Sequence, residues 1–299
     1  MTAPSSTFFT APPEWQWLII LYFFVGGLAG GCYFLAALID LLGTPADRHL
    51  ARLGYYVALP AVVVSGLLLT VDLGRPTRFW HMLLQSETLR PMLKVWSPMS
   101  LGSWALLVFG SFALLSFLAA LAEAGRLPIG LARLRPPGVA GTILTVLGGL
   151  LGFFVAGYTG VLLAVTNRPI WSDSPLLGLL FVVSAASISA ALLLLLGWSR
   201  RGQSPGLVAL ERFDAWALVL ELLVLAAFLV SLGAVFRVWL SGWGLLLLLG
   251  VVVVGLLLPL WFHWRRRTLG SLTTPASAVL VLIGGFILRV AIVLASEGV

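Results

Sequence analysis

The sequence predicts an all-α membrane protein, an eight-transmembrane-helix bundle forming one domain over residues 1–299. Three observations carry that reading. The 299 residues are 60% hydrophobic and 10% charged, against roughly 25% charged residues in an ordinary soluble domain. The apolar residues fall into eight runs of bilayer-spanning length, which takes about 20 residues per helix. None of the runs shows the period-2 alternation of a lipid-facing barrel strand.

In chain order the spans are expected at about 17–42, 50–71, 98–122, 139–165, 175–198, 212–237, 242–264 and 274–296. Breakers sit between them: Gly43-Thr44-Pro45, Gly74-Arg75-Pro76, Pro136-Pro137-Gly138, Arg168-Pro169, Gly202-Gln203-Ser204-Pro205 and Ser241-Gly242. The first run has no Lys or Arg before Arg48 and is too long for a signal-peptide core, so it is expected to stay as a span.

Eight spans place both termini on one side. The loops after spans one, three, five and seven hold Arg48, Arg52, Arg126, Arg133, Arg135, Arg200, Arg201, Arg212, Arg265, Arg266 and Arg267. The other side holds Arg75, Arg78, Arg90, Lys94, Arg168 and Arg237, and Arg289 lies inside the last span. The excess of basic loop residues marks the cytoplasmic side. Both termini are therefore expected on the outer, periplasmic side of the plasma (inner) membrane. The net charge of +7 is then a product of orientation, and no nucleic acid is implied. The loop at 72–97 holds four basic residues on the sparse side, which marks it as a segment that binds something.

One cysteine, Cys32, excludes an intrachain disulfide and any four-cysteine metal or iron–sulfur site. The three histidines, His49, His81 and His263, offer no facing pair inside the spans, so neither haem nor metal is expected in this protein. No phosphate-binding loop and no hydrolase motif is present.

Four clusters could carry chemistry. The loop after span two reads Asp72-Leu73-Gly74-Arg75-Pro76-Thr77-Arg78-Phe79-Trp80-His81. It is either a helix stop with interfacial aromatics and snorkelling arginine, or a recognition surface. Lys94-Val95-Trp96-Ser97-Pro98-Met99-Ser100 has good N-cap and first-turn chemistry, which suffices to explain it. Tyr158-Thr159-Gly160 lies slightly deep for an interface anchor, and its hydroxyl could bond a lipid-soluble carbonyl. Arg289, in Gly284-Gly285-Phe286-Ile287-Leu288-Arg289, either snorkels or has a polar partner in the bundle.

Glu221 is the deepest carboxylate, nine residues into span six as bounded above, and is a candidate proton relay. Asp40 and Glu123 fall near span ends, where solvation accounts for them. The small residues Gly26-Gly27-Leu28-Ala29-Gly30-Gly31 let another backbone or a ligand approach span one. The 121–138 connection reads as a cytoplasmic linker.

Asp72-Leu73-Gly74-Arg75-Pro76, Ser97-Pro98-Met99-Ser100, Tyr158-Thr159-Gly160 with Arg168-Pro169, and Gly285 through Arg289, in this order and at these places relative to the spans, resemble the NrfD-like family. That family includes the membrane subunit of polysulfide reductase. The resemblance implies an integral quinone-binding anchor (menaquinone or ubiquinone) without metal or haem. It would pass electrons between the quinone pool and a four-cluster ferredoxin-like subunit, which contacts a molybdopterin catalytic subunit. By motif, Tyr158 corresponds to the headgroup tyrosine of span four, while the family's span-one histidine has no counterpart before His49.

From position, Asp72, Arg75 and Arg289 are expected around the same quinone, and Arg78, Trp80, His81 and Lys94 on the docking surface. Two other readings remain: a proton-coupled secondary transporter using Glu221, although inverted repeats are not evident, and a structural anchor without quinone chemistry.

Overall fold

The computed structural model describes residues 13, 15–198, 205–265 and 270–296. Arg200, Arg201, Arg266 and Arg267, counted above for orientation, lie outside them. The described residues contain eight helices long and apolar enough to cross a membrane. They comprise α1 (Trp17–Leu42), α2 (Arg48–Asp72), α3 (Pro98–Glu123), α4 (Val139–Ala164), α5 (Leu176–Gly197) and α6 (Pro205–Ser231). A composite seventh span runs from α7 (Gly242–Leu246) through a π-helical stretch (Leu247–Leu257) to α8 (Leu258–Trp264), and α9 (Thr273–Ala295) follows.

Helices α1 and α5 are the most buried spans. Each packs on several neighbours, α1 on α2, α4, α5 and α9, and α5 on α4, α6 and α9 as well. A helix wrapped on all sides has no polar face, which is why these two read as continuous apolar runs. The small residues of α1 serve this packing. A Cβ added to Gly30 would lie 2.3 Å from the carbonyl oxygen of Gly152 in α4, so the two backbones meet only because both residues are glycine.

Seven of the eight spans fall within two or three residues of their expected bounds. The sixth does not. It runs Pro205–Ser231 rather than 212–237, so the expected breaker Pro205 is its first residue. Proline suits a first helical turn, where its missing N–H has no intrahelical partner. The cap arrives from elsewhere: Asp47, between α1 and α2, accepts from the Gly206 N–H at 2.7 Å, a carboxylate at the positive end of the helix. At the other end Gly233 (φ +54) breaks the chain direction and a 3₁₀ stretch Gly233–Leu240 follows. The earlier start places Glu221 three residues past the middle of α6.

The 121–138 connection is more than a linker. It folds back so that Arg135, buried, pairs with both Asp40 and Glu123. Arg48 pairs with Glu123 at 3.0 Å, and the Tyr55 hydroxyl donates to Asp40 at 3.1 Å. The expectation that solvation accounts for Asp40 is thus overturned, since its side chain is 1% exposed; Glu123 keeps 19% exposure but is paired with two arginines as well.

Candidate functional site

A cavity of about 550 Å³ opens between α3, α4 and α5. Phe153, Phe154, Tyr158 and Val161 of α4, Leu179 and Val182 of α5, and Pro98 and Leu101 of α3 form its walls. Val95 and Trp96, from the end of the 72–97 loop, form its rim, and Trp96 is 79% exposed. The walls are aromatic and aliphatic apart from the Tyr158 hydroxyl, and the rim adds the Trp96 indole N–H.

Local sequence explains the start of α3. Ser97 is its N-cap and accepts from the Ser100 N–H at 3.4 Å, with Pro98 in the first turn. This turn meets Tyr158. The Tyr158 hydroxyl donates to the Pro98 carbonyl, and its ring stacks on Phe154 at 5.7 Å. Gly102 makes the approach feasible, because a Cβ there would lie 2.2 Å from the Tyr158 oxygen. The hydroxyl's proton is therefore committed to the protein, and its lone pairs remain to accept.

The structure does not bring the other expected quinone ligands to this cavity. Asp72 ends α2 and, like Arg75 and Arg78, is exposed. None of the three lines the cavity. Trp80 and His81 are half-buried with rings edge-on at 3.9 Å. Exposed Lys94 ties its N–H to Ser100 Oγ at 3.1 Å. A bridge between Leu84 and Pro91 folds the loop, and the Trp104 indole donates to the Met92 carbonyl at 3.1 Å. The loop is thereby held against α3.

Arg289 lies apart, fully buried between α1, α5 and α9. It does not snorkel. Its Nη1 donates to Ser184 Oγ at 2.9 Å and to the Gly285 carbonyl at 2.6 Å, and its Nε to the Phe23 carbonyl at 3.4 Å. The rings of Phe181 and Phe24 lie 5.3 and 5.8 Å from the guanidinium carbon, favourable for a desolvated cation. Glu221 accepts from Ser187 Oγ at 2.6 Å. Ser184 and Ser187, one turn apart on α5, thus hold the arginine of α9 and the glutamate of α6. Nothing in the sequence reading anticipated them, although serines recurring at 184, 187 and 189 in an aliphatic helix were a visible signal.

Two further carboxylates share the buried side of α6. Asp214 pairs with His263 at 3.1 Å, and Glu211 accepts from Thr274 Oγ1 at 3.1 Å. Residues 211, 214 and 221 recur at helical spacing, so the polar stripe was legible in sequence and was missed. Among the described residues no cluster of three metal-ligating side chains occurs.

The model of the family described as polysulphide reductase, NrfD, matches residues 6–298. Protein NrfD of Escherichia coli K12 is 26% identical, and the match covers 95% of both proteins. A polysulfide reductase chain from Wolinella succinogenes is 29% identical over 95% of this protein and 94% of its own length. A selenate reductase subunit from Mesobacillus selenatarsenatis is 24% identical over a shorter stretch, 36% of this protein and 22% of its own length.

Proposed function

The chain belongs to the polysulphide reductase NrfD family, and on that premise we propose that it is the quinone-reactive membrane subunit of a molybdopterin oxidoreductase complex. The observation that carries this reading is the apolar cavity with a tyrosine hydroxyl in its wall, rimmed by Val95 and Trp96 at the end of an exposed basic loop. A quinone is chemically matched to such a place: a flat apolar ring with two polar oxygens, wanting aromatic walls and one well-placed partner. Tyr158, its proton on the Pro98 carbonyl, accepts from a quinol hydroxyl.

Oxidation of that substrate sends two electrons to an iron–sulfur subunit and two protons to water; reduction runs the reverse. The electrons go on to, or come from, the molybdopterin subunit. Arg78, Trp80, His81 and Lys94 form the docking surface for the iron–sulfur partner, with Asp72 and Arg75 at its membrane edge. Glu221 is assigned to a proton relay, and Arg289 steadies its charge through the α5 serines.

The test is Tyr158→Phe. Losing one hydroxyl costs about 0.5–1.5 kcal/mol for a neutral bond and about 1.5–3 for a charged partner, so turnover with menaquinol or ubiquinol should fall from a few-fold to about a hundred-fold. A dye that exchanges electrons directly with the catalytic subunit should be unaffected. Parallel loss of both activities would make Tyr158 an assembly residue, and loss of neither would move the headgroup elsewhere. Orientation has its own check. With the loop periplasmic, a cysteine at Ser86 should label from outside intact cells and one at Ala124 should not.

A further inference from the structure

A second, larger recess lies on the opposite flank of α3. Its volume is about 750 Å³, and its walls are α2 from Leu59 to Leu73 and α3 from Ser103 to Leu114. No protein atom fills it at two of its lining positions. A Cβ added to Gly66 or Gly110 would meet nothing within 4 Å.

Its lining is mostly apolar, and three hydroxyl residues take part in it. Each hydroxyl is turned back on its own helix: Thr70 to the Gly66 carbonyl at 2.7 Å, Ser103 to Met99 at 2.8 Å and Ser111 to Leu107 at 3.0 Å. An acceptor placed in the recess therefore finds no free hydroxyl donor.

Dimensions narrow the occupant further. The α2 wall is about 21 Å long at 1.5 Å per residue, enough to cover one leaflet, which is half of a hydrocarbon core about 30 Å thick. The recess is long enough to take one acyl chain laid along α2.

The mouth supplies the headgroup ligand. Phe79 and Met82, three apart in a 3₁₀ stretch and so on one face, roof the recess. Arg75 caps that stretch, two residues beyond the lining residue Leu73. It is exposed and has no ion pair or side-chain hydrogen bond among the described residues. An unpaired guanidinium at the membrane surface is suited to a phosphate.

We infer that the α2–α3 recess is a binding site for one acidic glycerophospholipid, its acyl chain along Gly66 and Gly110 and its phosphate at Arg75. The test uses the whole purified complex, equilibrated with phosphatidylglycerol, washed in detergent and extracted for phospholipid and quinone. Wild type should retain about one phosphatidylglycerol per chain more than a Gly66→Leu/Gly110→Leu variant, with the quinone content equal in both. Arg75→Gln should lower retention of phosphatidylglycerol about ten-fold relative to phosphatidylcholine. Equal phospholipid in wild type and filled variant overturns the site, and loss of quinone in place of phospholipid gives the recess to a quinone tail.

Should the double variant fail to assemble, wild type alone decides through phosphatidylglycerol with a photoreactive acyl chain. Adducts within 59–73 and 103–114 support the site, and adducts only elsewhere refute it.

Discussion

Two sets of basic side chains mark the two ends of α2, and they behave in opposite ways. At the start of α2, Arg48 and Arg135 are matched against Asp40 and Glu123. These four residues come from four different segments of the chain. At the other end, Arg75, Arg78, Arg90 and Lys94 are exposed and have no acidic partner among the described residues. Charge buried with its counter-charge organises the fold, because neither member can be removed without stranding the other. Charge left exposed and unmatched adds little to the chain's own stability and is available to something outside it. Counting arginines for topology treats the two sets alike; their partners separate them.

The strongest way to break this comparison is Arg135→Met. It leaves Asp40 buried with the Tyr55 hydroxyl but without its ion-pair partner, and breaking a buried pair from one side costs about 3–5 kcal/mol. The expected result is a large fall in Tm and in yield of the folded protein. Adding Asp40→Asn should return part of the loss, since the stranded charge is then gone. A variant as stable as wild type would show that the ion cluster contributes nothing to the fold.

The reverse outcome is expected at the other end. Arg78→Glu with Lys94→Glu should leave Tm unchanged and weaken retention of the iron–sulfur partner about ten- to a hundred-fold at low ionic strength, because each lost attraction becomes a repulsion. The defect should be sharper in dilute buffer than at high salt, where the Debye length shrinks to about 3 Å at 1 M. Copurification across a salt series reads both. Full retention at every salt concentration would separate the loop's charge from docking.

The same contrast explains what the sequence revealed. Span positions were legible because bilayer thickness sets one length scale and composition reports it directly. Ser97 and Pro98 were legible as a helix start because capping acts over three residues. Tyr158 was identifiable as a hydroxyl slightly deep for an anchor, but its partner, the Pro98 carbonyl 60 residues away, was not. Nor was the pairing of Asp40 with Arg135, 95 residues apart, or the cap on α6 drawn from Asp47. Local spacing has no access to contacts that form only once the helices have assembled. The α6 carboxylates are the exception. Glu211, Asp214 and Glu221 sit at helical spacing, but the span was begun at 212, which left Glu211 outside it and Asp214 at its edge.

The smallest expected effect sharpens the comparison at the exposed end, which short-range contacts build. Ser97→Ala removes the side-chain acceptor of the Ser100 N–H. Such caps contribute about 0.5–2 kcal/mol, and at 3.4 Å this one belongs at the weak end, so the global Tm should fall by about a degree or two. The local consequence is larger than the global one. The first turn of α3 holds the Pro98 carbonyl that Tyr158 bonds, and fraying it loosens one wall of the cavity. Turnover with quinol should therefore drop a few-fold while dye turnover is kept. Ser97→Asp, whose carboxylate also caps, should restore it. If Ser97→Ala lowers both activities in proportion to stability, the exposed end is coupled to the bundle as tightly as the buried end, and the division between them fails.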